Sequence, residues 1–380
     1  MKFIVSSTEL LSHLQTISRV INTKNALPIL DDFLFSLEGN TLTMTASDVE
    51  TTLITSMEVE EAQGSGKVAI ASRLLLDTLR EFSEQPLTFS INESNLGLTI
   101  TTSNGAYNFI GENADEFPHL PELEGEPCFF EMPAENLLSG ISKTLFAIAA
   151  DDLREVMNGI YFDLSPKELT IVATDAHKLS RYKTTDVSTS LNDEEVSSFV
   201  LPKKPANLLK NILPREKGNV KIRFDKKYIY FELGNYTLIC LQVSGKYPNY
   251  NSVIPFNNPI KIIVDRLMLL NSIRRVSVFC NQATNLIKLV FSEQQVNISA
   301  EDIDFSISAE ETIPCQLEGN PISIGFKATY LIDILSNIDS SDVVIELSEP
   351  SRAALIFPLE NEENEEVLML LMPMLLMDYD

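Results

Sequence analysis

Asp175 and His177 are the two side chains of this sequence whose types and spacing are best suited to chemistry. They lie in the segment LTIVATDAHKL, which spans residues 169–179. A carboxylate near an imidazole can orient the ring and stabilise its charged form, as in hydrolases whose histidine activates a nucleophile. A hydrolase also needs a nucleophile or phosphate loop, and the sequence contains no GxSxG, GxxxxGK[ST] or HExxH motif. A hydrolase that uses Asp175 and His177 is therefore the alternative hypothesis.

The segment recurs twice in weaker form, so a repeated unit positions this pair. Asp48, Asp175 and Asp302 are separated by 127 residues in each interval. Three units of this length nearly fill the 380 residues. Matching apolar columns precede the aspartates: Leu42, Leu169 and Val296; Met44, Ile171 and Ile298; Ala46, Ala173 and Ala300. An aspartate found at the same turn beside different neighbours is typical of a carboxylate that accepts backbone N–H groups.

Each copy carries the same order of secondary-structure signals. A first strand precedes an amphipathic helix, placed at about residues 8–21 in the first copy because Leu10, Leu14 and Ile17 recur at helical spacing. Paired strands with short turns follow, then a second helix and further strands. The pattern predicts an α+β fold with two helices packed on about eight antiparallel strands per copy. Proline- and glycine-rich segments divide the chain into predicted domains 1–125, 126–254 and 255–380.

The composition excludes several function classes. A formal net charge of −25 argues against a surface that is basic throughout. Three histidines and four widely spaced cysteines give no metal-ligand spacing, so we expect no metal and no cofactor, and buried thiols in a reducing cytoplasm. The N-terminus lacks the apolar core of a signal peptide, and the apolar run 367–377 is broken by Pro373 and too short to span a membrane.

Basic residues are concentrated on predicted helices. The segment 202–217 carries Lys203, Lys204 and Lys210 together with two further basic residues, against one acid. The predicted strands and loops carry most of the acid, as in residues 360–366. If the helices face one way, the protein has a basic inner face suited to phosphate contact without base reading.

Several short motifs, in order along the chain, resemble one family. They are MKF at the start, LPIL at 27–30, FP at 117–118, VATDAHKL at 172–179, YPNY at 247–250, GF at 325–326 followed by Tyr330, and MPM at 372–374. With the threefold repeat, they make the sequence similar to the bacterial sliding clamp, the beta subunit of DNA polymerase III. The resemblance covers the whole chain.

The resemblance implies a head-to-tail homodimer of three-domain subunits, closed into a ring with helices lining the hole. Such a ring holds duplex DNA by enclosure and has no catalytic residue. It also implies a pocket for short peptide motifs of the DNA polymerase III catalytic subunit, the clamp loader and other clamp-motif proteins. Carried over by position, this pocket comprises Met157, Thr174, Ala176, His177, Lys178, Leu179, Pro248, Val253, Leu370, Met372, Pro373 and Met374.

The resemblance also assigns a DNA-binding set and a dimer seam. Lys24 and Arg73 match DNA-contacting positions, and the charge distribution adds Lys203, Lys204 and Lys210. The seam residues are Tyr107, Phe109, Val278 and Phe279. The chain departs from the family pattern at Ala176, where Gly is usual, at Lys178, where Arg is usual, and at Ser252, where Arg is frequent. These departures affect polar contacts with the peptide and not the apolar pocket.

The sequence therefore predicts a cytoplasmic processivity factor that binds double-stranded DNA without sequence preference and does not enter membranes. A monomeric peptide-binding scaffold that never touches DNA is a second alternative. It differs from a clamp in having one subunit per particle and no persistence on circular DNA.

Overall fold

The computed structural model describes residues 1–92, 94–150 and 152–376. Within these residues each copy of the repeat contains two α-helices and nine strands, so the α+β expectation is confirmed. The ninth strand beyond the expected eight is a piece of two to four residues, represented by β5, β14 and β23 below. Met377, the last residue of the apolar run, lies outside the described residues.

The elements follow one order in every copy. The first copy has β1 (Lys2–Ser6), α1 (Ser7–Ile17), β2 (Asp32–Glu38), β3 (Thr41–Ser47), β4 (Thr51–Glu58), β5 (Glu60–Gln63), β6 (Gly66–Ala71), α2 (Ser72–Arg80), β7 (Pro86–Asn92), β8 (Gly97–Thr101) and β9 (Ala106–Ile110). The second has β10 (Cys128–Pro133), α3 (Ala134–Thr144), β11 (Gly159–Leu164), β12 (Leu169–Thr174), β13 (Lys178–Thr184), β14 (Ser188–Thr189), β15 (Ser197–Pro202), α4 (Lys203–Ile212), β16 (Asn219–Phe224), β17 (Tyr228–Leu233) and β18 (Tyr236–Leu241). The third has β19 (Ile260–Asp265), α5 (Arg266–Ser277), β20 (Leu286–Ser292), β21 (Gln295–Asp302), β22 (Ile307–Pro314), β23 (Gln316–Glu318), β24 (Ile322–Lys327), α6 (Ala328–Ser336), β25 (Asp342–Leu347), β26 (Ala354–Pro358) and β27 (Glu365–Leu371).

The first helix illustrates how local sequence sets the element. The Ser6 side chain accepts a hydrogen bond from the backbone N–H of Glu9 at 3.3 Å and caps the helix start. Leu10, Leu14 and Ile17 are fully buried on one face. The predicted helix at residues 8–21 ends earlier than expected, because residues 18–20 form a 3₁₀ turn instead.

Each copy builds one five-stranded and one four-stranded antiparallel sheet, and neighbouring copies share sheets. The four-stranded sheet of the first copy joins the five-stranded sheet of the second through β4 and β18, which gives the order β14-β10-β16-β17-β18-β4-β3-β2-β6. The second copy joins the third in the same way through β13 and β27, in the order β15-β11-β12-β13-β27-β26-β25-β19-β23. The remaining sheets are β5-β1-β7-β8-β9 and β22-β21-β20-β24, with β9 and β22 at edges.

The chain folds into two compact units, and their boundaries differ from those of the three predicted domains. One compact unit contains residues 1–135, 188–190 and 207–242, and the other contains residues 136–187, 191–206 and 243–380. The second copy is divided because each of its two sheets is continuous with a neighbouring copy. The boundaries after residues 125 and 254 therefore stay a prediction based on the repeat.

Each compact unit has its own buried core. In the first unit Phe3 stacks on Phe89 with ring centroids 5.0 Å apart, and in the second Phe162 stacks on Phe199 at 4.6 Å. All four rings are buried. Across the described residues, no helix is long and apolar enough to cross a membrane.

Candidate functional site

The turn between β12 and β13 is built around the Asp175 carboxylate. Its Oδ1 accepts the backbone N–H groups of His177 at 2.9 Å and Lys178 at 2.8 Å. Its Oδ2 accepts the Lys178 ammonium at 2.9 Å. The strands on either side are antiparallel, with Thr174 opposite Leu179. Asp175 therefore holds the turn together, and His177 supplies a main-chain donor to it.

The equivalent aspartates act in the same way in the other copies. Asp48 Oδ1 accepts the backbone N–H of Thr51 at 2.7 Å, and Asp302 Oδ1 accepts that of Asp304 at 3.1 Å. A carboxylate with one structural task in three unlike turns fits the backbone-accepting interpretation. The hydrolase alternative, in which Asp175 would orient the His177 ring, is not supported.

The backbone conformation of Ala176 explains why glycine suits this position. Its φ is +72°, in the left-handed region, where a Cβ crowds the backbone. Val49, the matching residue of the first copy, has a φ of +80°. In the first two copies the residue after the aspartate is therefore a strained, left-handed non-glycine residue.

Lys178 is directed into the protein and not toward solvent. The residue is 5% exposed, and its ammonium lies 2.9 Å from Asp175 Oδ2 and 3.8 Å from Asp333 Oδ2. It also lies 4.3 Å from the centre of the Tyr330 ring. Burial raises the pKa of Asp333, Lys178 opposes that rise, and Asp175 adds to it. The Lys178 ammonium is thus paired with acids of the chain itself, and its contact with a peptide stays a prediction.

The C-terminal segment lies beside this turn. β27 pairs with β13, with Leu371 opposite Lys178. The Met372 N–H then donates to the His177 carbonyl at 2.9 Å, and the Met374 N–H donates to the Gly325 carbonyl at 2.8 Å. A Cβ on Gly325 would lie 2.8 Å from the Met374 oxygen, so only glycine permits this approach. The segment 372–374 is hydrogen-bonded to the second copy at one end and to the third copy at the other.

A cluster of apolar residues lies next to the turn and the C-terminal segment, and it is called the apolar floor below. It contains the predicted pocket residues Leu179 and Leu370 together with buried residues that the pocket prediction did not include: Val172, Val200, Tyr247, Tyr250, Ile254, Ala353 and Leu355. Tyr161 stacks on Tyr247 with centroids 4.6 Å apart. The Tyr250 hydroxyl donates to Asp163 Oδ2 at 2.8 Å. Burial, and then the hydrogen bond and negative charge of Asp163, raise the pKa of Tyr250.

The YPNY tetrad at 247–250 was the sequence signal that could have identified these tyrosines as part of the floor. Two tyrosines this close together are unusual in a solvent-exposed loop, because large aromatic side chains tend to be buried.

All twelve predicted pocket residues belong to one compact unit. Four are buried (Thr174, Lys178, Leu179, Leu370), three are half-buried (Met157, Pro373, Met374) and five are exposed (Ala176, His177, Pro248, Val253, Met372). Val253 and Met372 are large apolar side chains left open to solvent. Exposed apolar side chains beside a buried aromatic floor are suited to apolar anchors of a peptide.

The predicted DNA-binding residues lie on or near helices. Lys24 lies in the segment after α1, Arg73 lies on α2, and both are exposed. Lys203, Lys204 and Lys210 lie on α4, where Lys203 and Lys210 are exposed and Lys204 is half-buried.

Two of the predicted seam residues lie on an edge strand, and the other two follow a helix that packs beside another edge strand. Tyr107 and Phe109 belong to β9, an edge strand that also carries Ile110, which is 83% exposed. Val278 and Phe279 directly follow α5, which packs beside the edge strand β22. Three exposed apolar residues precede or begin β22 and were missed by the sequence reasoning: Ile303, Phe305 and Ile307. Exposed apolar residues around an edge strand are typical of surfaces that pair with another chain, and the seam itself stays a prediction.

The described part of the chain contains no group of three or more His, Cys, Asp or Glu residues that could hold a metal ion. The four cysteines are free thiols. Burial raises the pKa of the Cys280 thiol to about 11, so it is protonated at neutral pH.

Comparison with known proteins gives one consistent result. Residues 1–121 match the DNA polymerase III beta subunit N-terminal domain, residues 131–249 match its central domain, and residues 251–375 match its C-terminal domain. The chain is 27% identical to the beta sliding clamp of Pseudomonas putida over 370 residues, which is 97% of this chain and 99% of that protein.

Solved structures agree with the sequence matches. The DNA polymerase III beta subunit of Pseudomonas aeruginosa has a TM-score of 0.92 at 26% identity, covering 99% of this chain and 100% of that one. A sliding clamp from Bartonella birtlesii, solved with griselimycin bound, has a TM-score of 0.90 at 28% identity over 99% of this chain and 100% of that one. Since all three domains are matched in order along the chain, this protein belongs to the DNA polymerase III beta subunit family.

Proposed function

We propose that this chain is a non-catalytic processivity factor. Two copies join head to tail into a ring around double-stranded DNA and tether the polymerase to it. The observation that carries the proposal is the ordered match of the three DNA polymerase III beta subunit domains over residues 1–375. Family membership also accounts for a conspicuous turn at Asp175 that has a structural role and no chemical one. The three-domain division at residues 125 and 254 is part of the proposal.

The sheet arrangement supports the head-to-tail seam. Inside the chain, the edge strand of each four-stranded sheet pairs with the last strand of the next copy, as β4 does with β18 and β13 does with β27. Among the described residues β22, the matching strand of the third copy, has no strand on its outer edge, and neither has β9, the last strand of the first copy. Pairing of β22 with β9 of a second molecule would repeat the join already made twice. Tyr107, Phe109, Val278 and Phe279 would lie at this seam, with Ile110 and Ile307 beside them.

DNA binding would be electrostatic and weak. Lys24, Arg73, Lys203, Lys204 and Lys210 are proposed to contact phosphates, which carry no sequence information. A chain with a net charge of −25 repels DNA elsewhere on its surface, so it is held on DNA by enclosure and not by affinity. The lysines and arginine need only exchange from phosphate to phosphate as the ring slides.

The apolar floor with the 372–374 segment is proposed as the peptide pocket. Its partners would be the DNA polymerase III catalytic subunit, the clamp loader and other proteins that carry a clamp-binding motif. Leu179 and Leu370 in the floor, and the exposed Val253 and Met372 near it, supply apolar surface for anchors of such a motif. The place of action would be the cytoplasm, where bacterial DNA is replicated.

The decisive experiment measures retention on DNA of different topology. The protein is loaded onto nicked circular plasmid with a clamp loader, half of the sample is linearised with a restriction enzyme, and protein that stays on DNA is counted after gel filtration. Loss from linear DNA with retention on circles supports encirclement. Equal retention on both forms would exclude it, and one subunit per particle in light scattering would favour the monomeric scaffold instead.

A further inference from the structure

A cavity of about 580 Å³ lies in the first copy of the repeat, between the strands β2 and β3 and the segment 114–120. Its volume is within the range of small-ligand sites. All of its lining residues belong to one compact unit. The residues of the lining that matter below are Leu34, Ser36, Thr43 and Thr45 on the two strands and Leu120 on the segment.

The strands under the cavity have counterparts in the second copy. β2 and β3 pair in the same register as β11 and β12, which lie 127 residues later. Leu34 therefore corresponds to Tyr161, and Ser36 corresponds to Asp163. In the second copy the Tyr161 ring stacks on Tyr247 with centroids 4.6 Å apart. The first copy has the smaller Leu34 at that place, so less of the sheet surface is covered.

The segment beside the cavity also has a counterpart. The Phe-Pro pair at 117–118 matches the Tyr-Pro pair at 247–248, because each pair lies between the last strand of its copy and the first strand of the next. Two residues after the second pair, Tyr250 is buried and its hydroxyl donates to Asp163 Oδ2 at 2.8 Å. Two residues after the first pair, Leu120 is 47% exposed. The first copy therefore has neither the ring nor the phenolic hydroxyl that the second copy places here.

The cavity contains hydroxyl groups that the chain itself does not use. Ser36 and Thr43 are half-buried and Thr45 is buried, and within the described residues none of these three side chains makes a hydrogen bond. Each hydroxyl can donate one hydrogen bond and accept others. A ring in the cavity would meet Ser36 where Tyr250 meets Asp163 in the second copy. The cavity is therefore suited to an aromatic ring that carries a hydrogen-bonding group.

The rim of the cavity is acidic. Glu38 and Asp115 belong to its lining, Glu112 and Glu116 lie in the adjoining segment, and all four are exposed. Lys67, which is also in the lining, offsets one of these charges. Complementary charge favours a ligand that is basic where it extends beyond the cavity. A peptide meets this condition when lysine or arginine flanks its aromatic residue.

We propose that this cavity is a second binding site, which receives the tyrosine side chain of a linear basic segment of a partner protein. The ring takes the place that Tyr250 takes in the second copy, and its hydroxyl donates to Ser36. The flanking basic side chains lie near Glu38 and Asp115. The site shares no residue with the proposed peptide pocket, so the inference does not depend on that pocket.

The test measures binding of the labelled pentapeptide Gly-Lys-Tyr-Lys-Gly to the full chain by fluorescence anisotropy. A second peptide has phenylalanine in place of tyrosine, and a third has glutamate in place of both lysines. We expect the first peptide to bind about fivefold more tightly than the phenylalanine peptide, as for one hydrogen bond, and more tightly than the glutamate peptide at low salt. Ser36→Ala should bring the ratio of tyrosine to phenylalanine affinity to about one. Ser90→Ala, the same change at a half-buried serine on β7 outside the cavity, should keep the ratio.

A second variant places the missing ring in the chain itself. Leu120→Tyr adds a tyrosine where the second copy has one, so it should fill the cavity and weaken the tyrosine peptide more than about tenfold. Leu359→Tyr makes the same change at a leucine of similar exposure (43%) outside the cavity and should have no effect. Melting curves check that each variant is folded.

Three results would overturn the inference. They are equal binding of the tyrosine and phenylalanine peptides to the wild type, binding that is insensitive to both Ser36→Ala and Leu120→Tyr, and no binding by any of the peptides. N-acetyltyrosinamide that binds as tightly as the tyrosine peptide would overturn the assignment of a peptide, because a free phenol would then be sufficient. None of these results bears on encirclement of DNA or on the proposed peptide pocket, whose residues are different.

Discussion

The backbone N–H of Met372 donates to the carbonyl of His177 at 2.9 Å, although the two residues are 195 positions apart. This bond continues the pairing of β27 with β13 and brings the segment after β27 to the turn that Asp175 organises. The Tyr330 ring, on α6, lies against the same turn through His177 and Lys178. The proposed pocket is thus assembled where the second and third copies share a sheet.

The left-handed Ala176 predicts a stabilising substitution. Ala176→Gly removes the Cβ from a residue with a φ of +72° and should raise the free energy of unfolding by about 1 kcal/mol, measured by urea denaturation. The control is Ala283→Gly, which makes the same change at an exposed turn residue whose φ is not positive. It should lower stability by about 0.5–1 kcal/mol, because only the unfolded chain gains freedom there. Destabilisation by both substitutions would contradict the strain assigned to Ala176.

Substitutions of Asp175 and of Lys178, the two charged residues of this turn, should lower the free energy of unfolding by unequal amounts. Asp175→Ala removes the acceptor of two backbone N–H groups and of a buried ammonium, so it should cost about 3–4 kcal/mol of unfolding free energy. Lys178→Met leaves the carboxylate with both backbone donors and fills the space with an apolar chain, so it should cost about 1–2 kcal/mol. Equal costs in chemical denaturation would argue against Asp175 as the organiser of the turn.

Asp32 predicts a pH-dependent contribution to stability. Burial, followed by the charges of Glu112 and Asp31, raises the pKa of Asp32 to about 6, and its Oδ2 has no hydrogen-bond partner in the described structure. Because the native state holds the proton more tightly than the unfolded state, the stability from this group is present at low pH. It is lost as the pH rises from about 4 through about 6.

Asp32→Asn should therefore stabilise the protein by about 2 kcal/mol at pH 8 and by little at pH 4, as read from urea denaturation at both values. Asp31→Asn, a change at the exposed neighbour, should give a much smaller gain at pH 8. A gain for Asp32→Asn that is the same at both pH values would show that Asp32 does not titrate in this range.

If the proposed seam is correct, a single substitution at Val278 should convert the dimer into monomers. Val278 is 74% exposed in the single chain, so Val278→Asp should alter the stability of the subunit by less than about 0.5 kcal/mol. At a paired seam it would bury a charge and should weaken the dimer more than about tenfold, seen by sedimentation equilibrium. Val196→Asp, at an equally exposed valine (75%) outside the seam strands, should leave the dimer intact. A dimer insensitive to Val278→Asp would place the seam elsewhere.

If the proposed phosphate contacts exist, removing one should change how the affinity for DNA depends on salt concentration. Arg73→Gln should weaken binding to duplex DNA of any sequence and reduce the slope of log affinity against log salt by about 0.9. Arg352→Gln removes the same charge from an exposed arginine near Glu349 and should change neither quantity. Equal effects of the two variants in a filter-binding titration would mean that only net charge matters.

The sequence by itself determined the repeat, the type of most elements and the family. Spacing of 127 residues between Asp48, Asp175 and Asp302 and the helical spacing of Leu10, Leu14 and Ile17 are local patterns, and local side-chain periodicity decides which face of an element is buried. The turn-forming task of the aspartates was also predictable, because an aspartate can cap the backbone of its own turn without help from the rest of the chain.

Tertiary structure alone decided which strands pair between copies and where Lys178 points. Backbone N–H and C=O groups are the same at every residue except proline, and β4, β18, β13 and β27 contain no proline, so pairing of β4 with β18 and of β13 with β27 leaves no signature in the sequence of either strand. From the local sequence alone, Lys178 would be assigned to the surface. In the folded chain it contacts Tyr330 and Asp333, which are more than 150 residues later in the sequence. Burial of a charge depends on all the elements that surround it, and those meet only in the folded chain.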